Sequence, residues 1–179
     1  MSELGSVRLN YRKTLKADFS LFYRLYSDPR VMKYTYLDIC NEVEAQNIFA
    51  EIYEEKVFTY YTVKEKQHNQ FIGFIFCNTT LEHLHGGIVS IGYILDPDAW
   101  GKGYATEMAE AMMNFLFKKG KIHKVEANGH AQNLASEKVL IKLGMKKEGV
   151  ARKARYKNNQ WRDEFQYGIL REEWEKLQP

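Results

Sequence analysis

The stretch Ser90 to Ala109, SIGYILDPDAWGKGYATEMA, limits what this chain can fold into more than any other. Ile91, Tyr93 and Leu95 alternate with Gly92 and Ile94 in a run of β-branched and aromatic residues, the pattern of a strand. Asp96-Pro97-Asp98 ends it, because proline cannot continue a ladder. Gly101 and Gly103 flank Lys102, and helical spacing starts directly afterwards. A glycine-rich turn opening a helix aims several backbone N–H groups at one point, and the helix dipole adds positive charge there. That arrangement suits a phosphate.

Charge is distributed unevenly around this stretch. The formal net charge is +3, yet Lys118 to Lys157 contains 12 Lys/Arg and 3 Asp/Glu, a local net of +9. The acids gather earlier, at Asp38, Glu42, Glu44, Glu51, Glu54 and Glu55. One basic and one acidic region point to an anionic ligand on one side and a cationic one on the other, set against plain solvated helix faces. Cys40 and Cys77 have no short spacing and read as thiols rather than a disulfide, and the N-terminus has no apolar signal core. No apolar run approaches a membrane span. A cytoplasmic protein of one domain, residues 1–179, is expected.

The periodicity predicts a first strand over Val7–Lys13 and a helix from Phe19 to Tyr26 capped by Asp18. A short helix and loop follow over Arg30–Ile39. Asn41 and Glu44 form a capping-box pattern before a helix from Glu42 to about Lys56. Phe58–Val63 and Phe71–Cys77 read as strands that, with Ser90–Leu95, form an antiparallel meander. Tyr104 to Lys119 is a helix ended by Gly120, Lys124–Gly129 a strand, and Leu134 to Leu143 a helix capped by Asn133 and ended by Gly144. A hairpin around Asn158-Asn159 and a polar helix, Arg171–Leu177, close the chain. This order implies a mixed α/β (α+β) sheet of about seven strands with helices on both faces. His83 and His85 alternate as if on one strand face, but no further ligand stands at a telling spacing, so no metal is expected.

W-G-K-G-Y-A at Trp100 to Ala105 is followed by Thr106-Glu107. N-L-A-S at Asn133 to Ser136 is followed by L-G-M at Leu143 to Met145 and E-G at Glu148-Gly149. Together these resemble the GNAT superfamily of N-acetyltransferases, and most of all the branch containing the ribosomal-protein-alanine N-acetyltransferases. The resemblance runs from Arg8 to Trp174. It implies a GNAT-like sheet splayed between its fourth and fifth strands, with acetyl-CoA in the gap between Ser90–Leu95 and Lys124–Gly129. Main-chain groups of Ile94 and Leu95 would hold the pantetheine arm, and one N–H would face the acetyl oxygen. The turn of Trp100, Gly101, Lys102, Gly103, Tyr104, Ala105 and Thr106 would hold the pyrophosphate. Trp100 departs from the usual Q/R-x-x-G-x-G/A start of that pattern, while Gly103 and Ala105 match it. Asn133 and Ser136 would reach the pantetheine and the sulfur.

The reaction so implied is direct attack of an amine on a thioester. An α-amine has a pKa of ~8 and a lysine amine of ~10.4, so a base must take a proton. The thiol leaves readily, with a pKa of ~8.5. Many superfamily members place a tyrosine acid where this chain has Leu140, and related sequences often begin the splayed strand with Glu where this chain has Ser90. Ser136 would therefore stabilise the thiolate. Glu126 is the first candidate base, set against a paired structural carboxylate, with Tyr93 and His130 behind it. The acceptor would be a protein N-terminus or a small amine, mildly favoured to be cationic by the acidic helix. A homodimer is left open, since dimers are frequent among similar proteins, and no membrane or nucleic-acid partner is expected. Two other classes compete: a non-catalytic acyl-CoA sensor, because Ser90 and Leu140 replace catalytic residues, and an RNA- or ribosome-binding module, because of the basic segment.

Overall fold

Period-two alternation in the strands builds the molecule outward from its sheet. The computed structural model describes residues 4–55 and 58–178. Its strands are β1 (Leu9–Lys13), β2 (Thr59–Glu65), β3 (Phe71–Leu81), β4 (Gly87–Leu95), β5 (Ile122–His130), β6 (Lys146–Lys157) and β7 (Gln160–Leu170). They form one sheet in the order β1-β2-β3-β4-β5-β7-β6. Only β4 and β5 run parallel; every other neighbouring pair is antiparallel. The helices are α1 (Phe19–Tyr26), α2 (Pro29–Met32), α3 (Glu42–Glu55), α4 (Tyr104–Lys119), α5 (Leu134–Lys142) and α6 (Arg171–Lys176). The expected mixed sheet of seven strands is therefore present. Lys56, the expected end of α3, lies outside the described residues.

Alternation sorts the side chains into two cores. Val89, Ile91 and Leu95 of β4 pack with Val125 and Ala127 of β5 against Met108 and Met112 of α4 and Leu140 of α5. Ile94 and Phe74 face the other way, against Phe22 and Leu25 of α1 and Ala45 and Phe49 of α3. The methionines of α4 are thus core, as expected for a packed stripe. Asn158 and Asn159 both take positive φ (48° and 56°), the geometry a two-residue hairpin needs between twisted strands. Asn41 and Glu44 form their reciprocal cap at 3.0 and 2.9 Å.

Three expectations are corrected. His83 and His85 are exposed in the turn between β3 and β4 rather than on a strand face, with the His85 N–H donated to His83 Nδ1. The closing helix is not wholly polar. Trp174 is buried, stacks 4.9 Å from Phe117 and donates to Asn114, which docks α6 on α4. Asp18 does not cap α1 with its side chain. A 3-10 turn, Lys16–Asp18, carries the carboxylate back over the β1–β2 ladder. There it accepts from Arg12 at 2.7 and 2.5 Å, from the Leu15 N–H and from the Thr62 hydroxyl. Neither Cys40 nor Cys77 forms a disulfide. No described helix is long and apolar enough to cross a membrane.

Burial works to raise the Asp18 pKa, but Arg12, the Leu15 N–H and the Thr62 hydroxyl outweigh it and hold the carboxyl below its ordinary value. A depressed carboxyl stabilises the fold above its unfolded pKa of ~3.9, and that contribution is lost as pH falls through the folded value. Asp18→Asn is therefore expected to lower the unfolding free energy at pH 7 by ~2–3 kcal/mol. Urea unfolding at pH 7 and again near pH 3 should show the deficit shrinking in acid.

Candidate active site

The site begins where a ladder stops. Pairing between β4 and β5 runs from Gly87↔Ile122 to Ser90↔Glu126 and goes no further. Beyond that point each strand keeps only its outer neighbour: β4 stays on β3 as far as Leu95↔Gly73, and β5 stays on β7 as far as His130↔Glu164. The two limbs each carry a glycine that makes room for an aromatic ring. A Cβ at Gly92 would sit 2.4 Å from the Phe76 ring, and one at Gly129 would sit 2.6 Å from the Phe165 ring. The result is a V-shaped gap. Ser90, Gly92 and Ile94 share one face with Glu126 and His130, toward α1 and α3. Tyr93 looks to the opposite face, toward α4 and α5.

At the open end of β4, the turn is fastened from within. The Asp96 side chain accepts from the Asp98 N–H and pairs with Arg24 at 2.8 Å. The Trp100 indole N–H donates to the Leu95 carbonyl at 3.1 Å, and Lys102 Nζ donates to the Asp98 carbonyl. Trp100 therefore ties the turn to the strand it follows. Gly101 and Gly103 both take left-handed φ (74° and 79°). A Cβ at Gly101 would meet nothing within 4 Å, and one at Gly103 only Arg8 Nη2 at 3.5 Å. Gly103 offers α4 no side-chain cap, and the first helical bond is Glu107 N–H to the Gly103 carbonyl. The N–H groups of Tyr104, Ala105 and Thr106 thus have no intrahelical acceptor and are open to an anion.

Glu107, in the first turn of α4, would oppose an anion there if its charge were free. It is not. Glu107 accepts from the Arg8 main chain at 2.7 Å, from Arg8 Nε at 2.6 Å and from Ser6 Oγ at 2.8 Å. Burial pushes its pKa up, and these partners more than reverse that. Arg8 also stacks 4.4 Å over the Tyr104 ring and donates to the Lys102 carbonyl. A half-exposed guanidinium therefore stands beside the turn, a feature invisible in sequence because 94 residues separate Arg8 from Lys102.

Across the gap, α5 presents Asn133 and Ser136. Asn133 caps the helix, its Oδ1 accepting from the Ser136 N–H at 3.2 Å. Tyr93 of β4 meets Ser136 hydroxyl to hydroxyl at 2.9 Å. Burial pushes the Tyr93 pKa up to about 12, with the Ser136 hydrogen bond acting the other way. Tyr93 therefore keeps its proton at neutral pH, and either hydroxyl of the pair can donate to the other. Leu140 is buried in the core, so nothing ionisable replaces the missing tyrosine acid at that place.

Glu126 lies at the closed end of the gap opposite Ser90. Lys124 is 3.9 Å from it but only 2.6 Å from Glu148, so the ammonium is committed mainly elsewhere. In the same row across the sheet, Asn78 is paired with Ser90, and its buried Oδ1 has no hydrogen-bond partner. An orphaned buried acceptor is open to a donor, whether an ordered water or a bound molecule. Sequence reading missed Asn78 because its meaning comes from cross-strand register alone. His130 sits four residues along β5 from Glu126. Its Nδ1 accepts from the Gln132 N–H, and burial together with Arg162 and Lys157 lowers its pKa. It is neutral at pH 7. Of the acidic helix, Glu42, Glu44, Glu51 and Glu54 are exposed, and the Glu55 side chain lies outside what is described. Among the described residues no group of three or more His, Cys, Asp or Glu could hold a metal ion.

Comparison with known proteins agrees with this geometry. The family model for the acetyltransferase (GNAT) domain matches residues 8–146. An N-acetyltransferase of Bacillus subtilis, YnaD, whose own role is uncharacterized, is 30% identical over 167 residues, covering 93% of this chain and 96% of that protein. The crystal structure of a GNAT-family acetyltransferase from Bacillus anthracis superposes with a TM-score of 0.80 at 30% identity, covering 94% and 98% of the two chains. RimL, a ribosomal L7/L12 α-N-protein acetyltransferase solved with coenzyme A, shares the fold with a TM-score of 0.74 at 20% identity, covering 92% and 95%. The open glycine turn, the uncapped helix end and the parted strands fit the coenzyme such proteins use. The chain belongs to the GNAT acetyltransferase family and is an N-acetyltransferase.

Proposed function

We propose that this protein acetylates a primary amine, a protein N-terminal α-amine or a small cationic amine, by direct attack with acetyl-CoA and acceptor bound together. The observation that carries the reading is the Tyr93–Ser136 pair at the open face of the gap. Acetyl-CoA supplies the activated thioester. The chain's own groups do the rest. N–H groups from Gly101 to Thr106 receive the pyrophosphate, with Arg8 as an added cation. Main-chain groups of Ile94 and Leu95 align the pantetheine, and the Asn133 amide is placed to join them. Tyr93 donates to Ser136, which leaves the serine O–H to point at the sulfur and stabilise a developing thiolate. Two neutral hydroxyls in series suffice, because a thiol of pKa ~8.5 needs little help to leave.

Glu126 is the base in this scheme. It is the carboxylate on the acceptor face at the closed end of the gap, and Lys124 holds it only loosely. Ser90 and Asn78 lie beside it in register and could carry a water between the amine and the carboxylate. The same Tyr93–Ser136 pair weighs against a purely binding role, since a sensor has no use for a hydroxyl relay aimed at sulfur. Four of the twelve cations of the basic segment are also neutralised, which weakens its case for RNA. Lys124, Lys146, Lys147 and Arg155 are each paired with a glutamate rather than arrayed as one face.

Gly103→Val should raise the calorimetric Kd for coenzyme A at least tenfold, because a branched side chain would stand before the open N–H groups. The strained φ should cost roughly 1–2 kcal/mol of stability. Ser136→Ala should lower kcat about tenfold, the value of one hydrogen bond to a developing charge. Adding Tyr93→Phe should cost little more, since the two act in series. Glu126→Gln should lower kcat by about 10²-fold at pH 7. That deficit should narrow as pH rises toward the amine pKa, because less amine then needs deprotonation. Thiol release from acetyl-CoA with a panel of amines measures all three, and no release with any amine would leave only the sensor.

A further inference from the structure

Beside the gap, on the acceptor face, lies a second cavity of about 370 Å³. Its polar walls are Lys33, His130, Gln132, Lys157, Asn158 and Arg162; its apolar walls are Pro29, Met32, Tyr34 and Ile39. No carboxylate lines it. Lys157 is buried, 6% exposed, yet no acid is paired with it among the described residues. Its Nζ is spent on neutral oxygens instead: the Met32, Thr35 and Leu37 carbonyls and the Thr35 hydroxyl. Burial lowers its pKa, and the field of exposed Asp38 only partly offsets this. Hydrogen bonds to carbonyls satisfy the three ammonium protons but leave the net charge uncompensated, which is costly in a buried place.

Arg162 adds to that excess. It is half-buried and makes no ion pair or hydrogen bond among the described residues. Its cross-strand neighbour Arg155 is already paired with buried Glu164 at 3.1 Å and stacks on Tyr36, so Glu164 is not free to serve Arg162. With Nδ1 occupied as an acceptor, neutral His130 carries its proton on the other ring nitrogen and is a donor as well. Three cations, a donor imidazole and two side-chain amides around a carboxylate-free space make a receptor for an anion.

We propose that this cavity seats a carboxylate of the acceptor, so that the substrate is an amine with an anionic group on the order of 10 Å behind the nitrogen. This rests on the acetyltransferase reading with Glu126 as base. His130 lies four residues from Glu126 on the same strand face, or ~13 Å along β5, and the amine stands a few ångströms inside that span. A free α-amino acid is too short to bridge it. An extended peptide advances ~3.3–3.6 Å per residue, so an acidic third residue reaches the cavity while its N-terminal amine meets the base. An ω-amino carboxylate of equal span has the same chemistry.

The test measures acetylation of peptides with Glu or Gln at position three, of a peptide with Glu at position six, and of an ω-amino carboxylate against the matching alkylamine. The expected result is a kcat/KM about tenfold higher for Glu than Gln at position three, as one desolvated charge pair gives. Glu at position six should give no such gain, and the fourth pair shows whether a small molecule shares it. Arg162→Gln should bring the Glu-to-Gln ratio toward one, and Arg162→Lys should keep most of it; a ratio is insensitive to a general loss of active protein. Equal rates in the parent protein, or a ratio unmoved by Arg162→Gln, would overturn the proposal. If no amine is acetylated, the transferase reading fails on its own. Calorimetry of the two peptides on the coenzyme-A-loaded protein then reads the cavity alone. About tenfold tighter binding of the Glu peptide would uphold it, and equal or undetectable binding of both would sink it.

Discussion

Everything in this protein that resembles a site depends on the ladder between β4 and β5 ending at Ser90 and Glu126. A sheet resists such a break, because each strand would leave main-chain donors and acceptors without partners. Two arrangements make it tolerable here. Each limb is anchored along its length by an antiparallel neighbour, β3 on one side and β7 on the other. Each limb also loses a side chain at one position, Gly92 or Gly129, so that an aromatic ring from the neighbouring strand fills the space from outside. The main-chain groups left facing the gap become a ready partner for an extended ligand, which adds to the sheet as a strand would.

The break also separates binding from chemistry. In the proposed scheme, recognition of the coenzyme falls to main-chain groups: the turn, the uncapped end of α4 and the inner edge of β4. Side chains fasten these groups in place without facing the ligand. Trp100 bonds to Leu95, Lys102 to Asp98, and Glu107 gathers Arg8 and Ser6. The chemistry of the proposed scheme, in contrast, rests on three side chains from three elements: Tyr93 on β4, Glu126 on β5 and Ser136 on α5. A sequence can vary at these positions while the binding frame stays intact.

The same division governs what could be read without coordinates. Strands, helices and the glycine turn were legible because periodicity and breakers are local signals. Asn41 and Glu44 likewise formed the cap their spacing announces. Asp18 misled, because a local capping signal lost to Arg12, six residues away in sequence but across a ladder in space. Tyr93 was weighed as a base; its 2.9 Å contact with Ser136, 43 residues on, is visible only in the fold. Asn78 and Arg162 carried no local signal at all. Their significance comes from what they lack, a partner, and a sequence does not print missing partners.

That last point changes the meaning of the basic segment. Read as a string, Lys118 to Lys157 is one positive block, and it suggests a long anionic surface. Folded, four of its twelve cations, Lys124, Lys146, Lys147 and Arg155, are answered one by one, by Glu148, Glu173, Glu137 and Glu164. Answered surface charges of this kind contribute ~0–1 kcal/mol each and define no site. Lys157 is different because it is buried among carbonyls, and Arg162, just outside the block, lies close enough to depress its pKa. Charge count therefore located the region, but burial singles out Lys157, which has no carboxylate partner among the described residues. In the proposed arrangement Lys157 and Arg162 stand on the acceptor side of the gap. The acids of α3 that argued for a cationic acceptor are exposed to solvent and do not line this cavity. On the proposal made for this cavity the acceptor carries an anionic group behind its amine, whereas the acidic helix points to a cationic acceptor.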